Sequence, residues 1–181
     1  MIIKCFRMKK SQEEARREAT KGILTRLFLL KGIDDNDIIV RTMYIENRLI
    51  TFEITSHLSI VDRLLHRKEK SVKSRIEMIA NGSTRGVAYY DRRGVEIVEE
   101  DVCEDDIQLS DFPDGDLIMR GNALARRILR RRVGGNISLE VVGVESIFRP
   151  YHVIFFGKPK EGTRVRYIPI AADGCSVKRT F

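Results

Sequence analysis

The first clear pattern of hydrophobic and polar positions lies near the start of the chain and has the period of a helix. Ser11, followed three residues later by Glu14, forms a capping box, the pairing that opens many helices. The apolar positions that follow fall on one helical face: Ala15, Ala19, Ile23, Leu27 and Leu30. The sequence therefore predicts an amphipathic helix over residues 11–30, ended by Lys31 and Gly32.

Apolar and β-branched runs then alternate with turn residues, which is the pattern of strands. Four such runs form two predicted hairpins, residues 38–45 with 49–54 and residues 74–80 with 84–90. Glu46-Asn47 is the predicted turn of the first hairpin. Asn81-Gly82, the strongest short turn signal in the chain, is the predicted turn of the second.

The second half of the chain repeats this order, after a strand predicted at residues 95–98. Asp116 can cap a helix that ends at Gly134-Gly135. The residues on its inward face are Leu117, Gly121, Leu124 and Ile128. Further strands are predicted at residues 137–144, 151–156, 165–170 and 175–181.

The two halves align with one another, which indicates an internal duplication. The matching segments are residues 44–52 with 148–156 and, with Ala172 taken as an insertion, residues 75–82 with 166–174. A helix and an antiparallel sheet each have one apolar face to cover, so one can pack on the other. We therefore expect an α+β fold of two tandem units, each one helix packed on a four-stranded antiparallel sheet. The alternative is that any two α+β segments share such periodicity.

The predicted boundaries follow from this alignment and from the charge pattern. They are residues 1–91 for the first helix-plus-sheet unit, 92–115 for an acidic connection and 116–181 for the second unit.

The order of an alanine-bearing helix, strands and a terminal hairpin with a glycine turn resembles the PepSY unit and, more distantly, cystatin-like folds. The resemblance covers residues 11–90 and, more faintly, 116–181. Its turns are Met78-Ile79-Ala80-Asn81-Gly82 and Ile170-Ala171-Ala172-Asp173-Gly174, and neither has the Asp-Ala pair that the family usually places before its Thr-Gly turn. The resemblance implies a module that regulates a peptidase or binds a ligand.

Composition places the chain among globular proteins. Its 181 residues are 43% hydrophobic and 33% charged, with 13 Gly and 4 Pro, which excludes collagen-like and linker-dominated chains. The longest apolar stretches, residues 23–30 and 141–144, are far shorter than the roughly 20 residues of a membrane-spanning helix, so we expect no membrane span. The start of the chain lacks the apolar core of a secretory signal, so we expect a cytoplasmic protein.

Candidate catalytic and metal-binding residues are few. Three cysteines that lie far apart and form no C-x-x-C pair predict free thiols and no metal site: Cys5, Cys103 and Cys175. The three histidines lack any motif that marks a base or a zinc ligand: His57, His66 and His152. Only Cys175, close to Lys178 and Arg179, has neighbours that favour a thiolate, and a packing role explains its position equally well. We expect no cofactor and no catalytic activity.

The charge distribution offers the densest candidate binding site. The net charge is +7, from 33 Lys and Arg against 26 Asp and Glu. Every ionised residue from Glu96 to Asp116 is acidic, and this run separates two basic regions. The denser region contains Arg126, Arg127, Arg130 and Arg131, followed by Arg132. Helical spacing of three and four brings these guanidinium groups together, where they can hold phosphates, pair with the acidic run or remain solvated.

The second basic region, Arg63 to Arg75, lies in a polar excursion from His57 to Lys73 and includes Arg67, Lys68 and Lys70. It predicts either a contact loop for an anionic partner or a solvated loop. These observations favour a non-enzymatic binding or interaction module with a protein partner. The alternative is a nucleic-acid-binding protein that uses both basic regions. The sequence sets no oligomeric state.

Overall fold

A computed structural model describes residues 1–21, 38–56, 73–132, 137–157 and 166–174. These residues contain two α-helices, α1 (Gln12–Lys21) and α2 (Asp114–Arg132), and a 3-10 turn at Glu104–Asp106. The strands are β1 (Ile2–Phe6), β2 (Ile38–Ser56), β3 (Lys73–Asn81), β4 (Val87–Tyr89), β5 (Ile97–Asp101), β6 (Ile107–Gln108), β7 (Ile137–Phe156) and β8 (Arg166–Ala171).

The eight strands form a mixed sheet in the order β4-β3-β2-β7-β1-β5, in which β6 also pairs with β2 and β8 with β7. The pairs β1·β7 and β2·β6 are parallel. The pairs β1·β5, β2·β3, β3·β4 and β7·β8 are antiparallel. The prediction of two tandem units, each one helix on its own four-stranded antiparallel sheet, is therefore wrong.

One cause of the error is β2, which continues through Glu46 and Asn47, the predicted turn. The buried Glu46 carboxylate accepts hydrogen bonds from the Ser110 backbone N–H at 2.9 Å and the Ser146 hydroxyl at 2.6 Å. Asn47 is buried and lies opposite Asn81 in the β2·β3 ladder. A buried polar side chain is tolerated when it is hydrogen-bonded, so the chain stays extended where its local polarity predicts a turn.

The second cause is β7, which continues through residues 145–150, the gap between the strands predicted at residues 137–144 and 151–156. Arg149 is buried there and forms an ion pair with Asp173. Pro150 has no N–H to donate, but its carbonyl oxygen accepts a hydrogen bond from the Ala172 N–H at 2.9 Å. The strand is therefore unbroken, because distant residues satisfy its polar groups.

The described residues divide into two compact units, and each is described by itself. Unit 1 comprises residues 1–21, 38–45, 94–108, 148–157 and 166–174. Unit 2 comprises residues 46–56, 73–93, 109–132 and 137–147. Both β2 and β7 contribute residues to each unit, so neither unit is one continuous stretch of the chain.

In unit 1, α1 begins with the predicted capping box. The Ser11 N–H donates to Glu14 Oε2 at 2.8 Å, and the Glu14 N–H donates to Ser11 Oγ at 3.2 Å. The inward residues Ala15 and Ala19 are buried in a core with Ile38, Ile154, Phe156 and Ile170. The remainder of the predicted helix, residues 22–30, lies outside the described residues.

In unit 2, α2 begins at Asp114, two residues before the predicted cap at Asp116. Leu117 and Gly121 are buried, as predicted for its inward face. A Cβ at Gly121 would lie 3.2 Å from Ile50 Cδ1, so the glycine allows the helix to approach the sheet closely. The buried sheet residues of this core are Ile50, Phe52, Ile54, Ile76, Met78, Ala80, Ile137 and Leu139.

The β3·β4 hairpin of unit 2 confirms that a hairpin forms here. Its connection is residues 82–86 and not the predicted Asn81-Gly82 turn, because β3 continues through Asn81 and β4 begins at Val87. Asn81 Oδ1 accepts hydrogen bonds from the backbone N–H groups of Ser83 and Thr84, both at 2.9 Å. Position 82 has no room for a side chain, because a Cβ there would lie only 2.5 Å from the Glu46 carbonyl oxygen, so glycine is required.

Several predictions fall outside the described residues: most of the polar excursion, the end of the second helix and the last strand, at residues 57–72, 133–136 and 175–181. In the part of the chain that is described, no helix is long and apolar enough to cross a membrane.

Candidate anion-binding surface

The outward side of α2 has a dense group of positive charge, which we call the arginine face. It consists of Arg120, Arg126, Arg127, Arg130 and Arg131. Four of these residues are exposed, while Arg126 is half-buried and donates from Nε to Asn122 Oδ1 at 2.6 Å. The predicted arginines are therefore brought together on one helix, as their spacing indicated.

Helical geometry sets the layout of this face. Arg127 and Arg131 lie seven and eleven positions after Arg120, which returns them to nearly the same side of the helix. Arg130 lies beside this stripe. The stripe is about 16 Å long, eleven steps of about 1.5 Å each. Arg120 was not among the predicted site residues, although its spacing from Arg127 is the signal that identifies it.

The acidic run does not neutralise the arginine face in the described residues. Its ion pairs are made with other groups: Glu96 with Arg7 at 2.9 Å, Asp101 with the Met1 ammonium at 2.9 Å, Asp114 with Arg48 at 2.6 Å and Asp116 with Arg85 at 3.7 Å. Among the residues that the structure describes, none of the five arginines forms an ion pair. Their positive charge therefore remains available at the surface.

The helix itself explains part of this placement. Arg130 and Arg131 lie in the last turn of α2, where positive side chains interact favourably with the partial negative charge of the helix end. Arg120 lies in the first half of the helix, so the helix dipole does not account for it.

The second predicted basic region lies mainly outside the described residues, including Arg67, Lys68 and Lys70. Its described end contains Lys73, which pairs with Glu53 at 2.9 Å, and the exposed Arg75. The structure therefore shows one of the two predicted clusters.

Glu46 is the centre of a polar cluster in unit 2. Burial alone would raise the pKa of its carboxyl group, but hydrogen bonds from Ser146, Ser110 and Arg48 outweigh burial and lower it. Arg48 also donates to Asp114 at 2.6 Å. The polar groups of this cluster therefore have partners within the chain, as buried polar groups normally do.

His152 and Arg149 are the buried basic residues of unit 1, and both have partners there. His152 Nε2 lies 2.8 Å from the Lys10 carbonyl oxygen, and Nδ1 lies 3.1 Å from Thr42 Oγ1. Arg149 donates to Asp173 from Nε at 2.6 Å and from Nη2 at 3.1 Å. Both side chains are therefore hydrogen-bonded within unit 1.

The described thiols differ in environment. Cys5 is fully buried, and burial together with Glu100 raises the pKa of its thiol to about 12. Cys103 is exposed, and Cys175 lies outside the described residues. No group of three potential metal ligands occurs in the described segments.

No family model, curated protein or solved structure matches this chain. The resemblance to PepSY and cystatin-like units therefore stays a prediction.

Proposed function

We propose that this protein is a non-enzymatic binding module and that its partner is a nucleic acid held by the arginine face. The observation that supports this proposal is the set of five arginines on α2 that have no ion pair with the described acidic residues. The acidic run, the obvious internal partner, pairs with other groups instead.

The chemistry of the side chain supports a phosphate partner. Arginine stays charged at every relevant pH, and its planar fork of donors matches the geometry of phosphate oxygens. Positive charges packed within about 16 Å repel one another, and a polyanion laid along the helix would relieve this repulsion.

The polar groups elsewhere support a role without catalysis. Cys5 holds its proton, and the buried His152 and Glu46 are hydrogen-bonded within the chain. A general base or nucleophile has to reach a substrate, and none of these three residues is exposed.

The test is binding of fluorescently labelled oligonucleotides of about 16 nucleotides, as single strand and as duplex, followed by anisotropy between about 50 and 200 mM salt. The variant Arg127→Gln/Arg130→Gln/Arg131→Gln removes three charges from the arginine face. The matched control, Arg17→Gln/Arg41→Gln/Arg93→Gln, removes three exposed charges elsewhere.

We expect the parent to bind with an affinity that falls steeply with salt. The α2 variant should bind more weakly and show a slope of log K against log salt shallower by about 2 to 3, because each phosphate contact contributes about 0.7 to 0.9. The control should retain most of the affinity. Absence of binding at low salt, or equal losses in the two variants, would overturn the proposal.

A further inference from the structure

An exposed aromatic side chain lies on the same side of the sheet as α2. Tyr89, on strand β4, is 44% exposed. Side chains two apart on a strand share a face, so Tyr89 lies on the face of Val87, and Val87 packs against the core beneath α2. Tyr89 is therefore on the helix-covered face of this edge strand, where its side chain remains partly exposed.

The strand register gives the level of Tyr89 along α2. Tyr89 lies opposite Met78, and Met78 lies opposite Ile50, so the three residues form one row across three strands. The Cβ position of Gly121 is 3.2 Å from Ile50 Cδ1, so the helix crosses this row near residue 121. Arg120 is the neighbour of Gly121 in the helix.

An ion pair shows which side of α2 faces β4. Asp116 pairs with Arg85, at 3.7 Å, and Arg85 lies in the turn that leads into β4. Arg120, Arg127 and Arg131 follow Asp116 at spacings of four, eleven and fifteen residues, which place them on the same side of the helix. The arginine stripe therefore runs along the flank of α2 on which Tyr89 lies.

From this juxtaposition we infer that Tyr89 and the arginine stripe form a binding site for single-stranded nucleic acid, in which a base stacks on the tyrosine ring and the arginines hold the flanking phosphates. This inference rests on the proposed function. An arginine surface alone suits the phosphates of any nucleic acid. An exposed ring beside it favours a single strand, because bases in a duplex are stacked on one another and do not offer a free face.

The experiment compares Tyr89→Leu, which removes the ring but keeps an apolar side chain, with Tyr89→Phe, which keeps the ring. Tyr167→Leu is the control, because Tyr167 is an exposed tyrosine, 63% accessible, in unit 1. Each variant is titrated against the same labelled sequence as single strand and as duplex, and circular dichroism checks that each is folded.

We expect the parent to bind the single strand more tightly than the duplex. Loss of one stacked base corresponds to a decrease in affinity of about 5- to 140-fold for Tyr89→Leu, while Tyr89→Phe and Tyr167→Leu stay close to the parent. Tighter binding of the duplex, or parental affinity of Tyr89→Leu for the single strand, overturns this inference and leaves the proposed function standing. If neither nucleic acid binds, both fail.

Discussion

The buried ion pair between Arg149 and Asp173 in unit 1 gives the most direct test of how the fold is stabilised. The two side chains are only 8% and 1% exposed, and two hydrogen bonds of 2.6 and 3.1 Å join them. Removal of one partner from a buried ion pair leaves the other without its ion-pair partner, a change that costs about 3–5 kcal/mol. We therefore expect Asp173→Asn and Arg149→Met each to lower the free energy of unfolding by about that amount.

For a chain of this length the change corresponds to a decrease in melting temperature of about 6–20 °C, at about 2–4 °C per kcal/mol. The double variant removes both charges together and should lose much less stability than the sum of the two single variants. The measurement is urea unfolding followed by circular dichroism on the parent, both single variants and the double variant. The coupling energy from this cycle should be about 2 kcal/mol or more.

An exposed pair provides the control. Arg93 is 93% exposed and lies 3.5 Å from Asp91, so Arg93→Met should leave the unfolding curve unchanged. The reasoning is refuted if each single variant at Arg149 and Asp173 costs less than about 1 kcal/mol, or if their effects add within about 0.5 kcal/mol, because the pair would then not be coupled.

Three further predictions concern other described residues. Gly82→Ala places a Cβ 2.5 Å from the Glu46 carbonyl oxygen and should lower stability by about 1–3 kcal/mol, whereas Gly115→Ala meets nothing within 4 Å and should not, as thermal melts will show. Because the pKa of Glu46 is lowered in the folded protein, its ionised carboxylate stabilises the fold at pH values above the ordinary pKa of 4.5. Glu46→Gln should therefore be less stable than the parent at neutral pH, and the difference in stability should shrink as the pH falls. A difference that does not change with pH contradicts this. Iodoacetamide near neutral pH should label Cys103 in the native protein and Cys5 only after unfolding, as peptide mass mapping will show, because Cys5 is buried and its pKa is about 12.

The parts of the fold that follow from local interactions were predictable. The capping box of Ser11 and Glu14 involves residues three apart, and the turn after Asn81 is stabilised by that residue's own side chain. The grouping of arginines on α2 depends only on the period of a helix. In each case the physical cause lies within a few residues of the pattern that reveals it.

The errors in β2 and β7 have non-local causes. Glu46 is hydrogen-bonded to residues 64 and 100 positions away, and Arg149 to a residue 24 positions away. Without these partners a buried carboxylate or guanidinium is strongly unfavourable, so the local pattern predicts a turn. The lack of ion pairs on the arginine face is also a non-local property. The spacing of the arginines along the sequence does not show whether distant acidic residues pair with them.

The make-up of the two units explains why the prediction of tandem units failed although many of its elements are present. Unit 1 contains α1, the first part of β2 that follows it, the second part of β7, and β8. Unit 2 contains α2, the first part of β7 that follows it, the second part of β2, and β3. Hydrophobic periodicity identifies a strand and its buried face, but it does not show which helix covers each part of a strand of 19 or 20 residues. The order of helix, long strand and strand occurs twice along the chain, and internal duplication stays a prediction. Within each unit, however, the first part of one long strand is combined with the second part of the other.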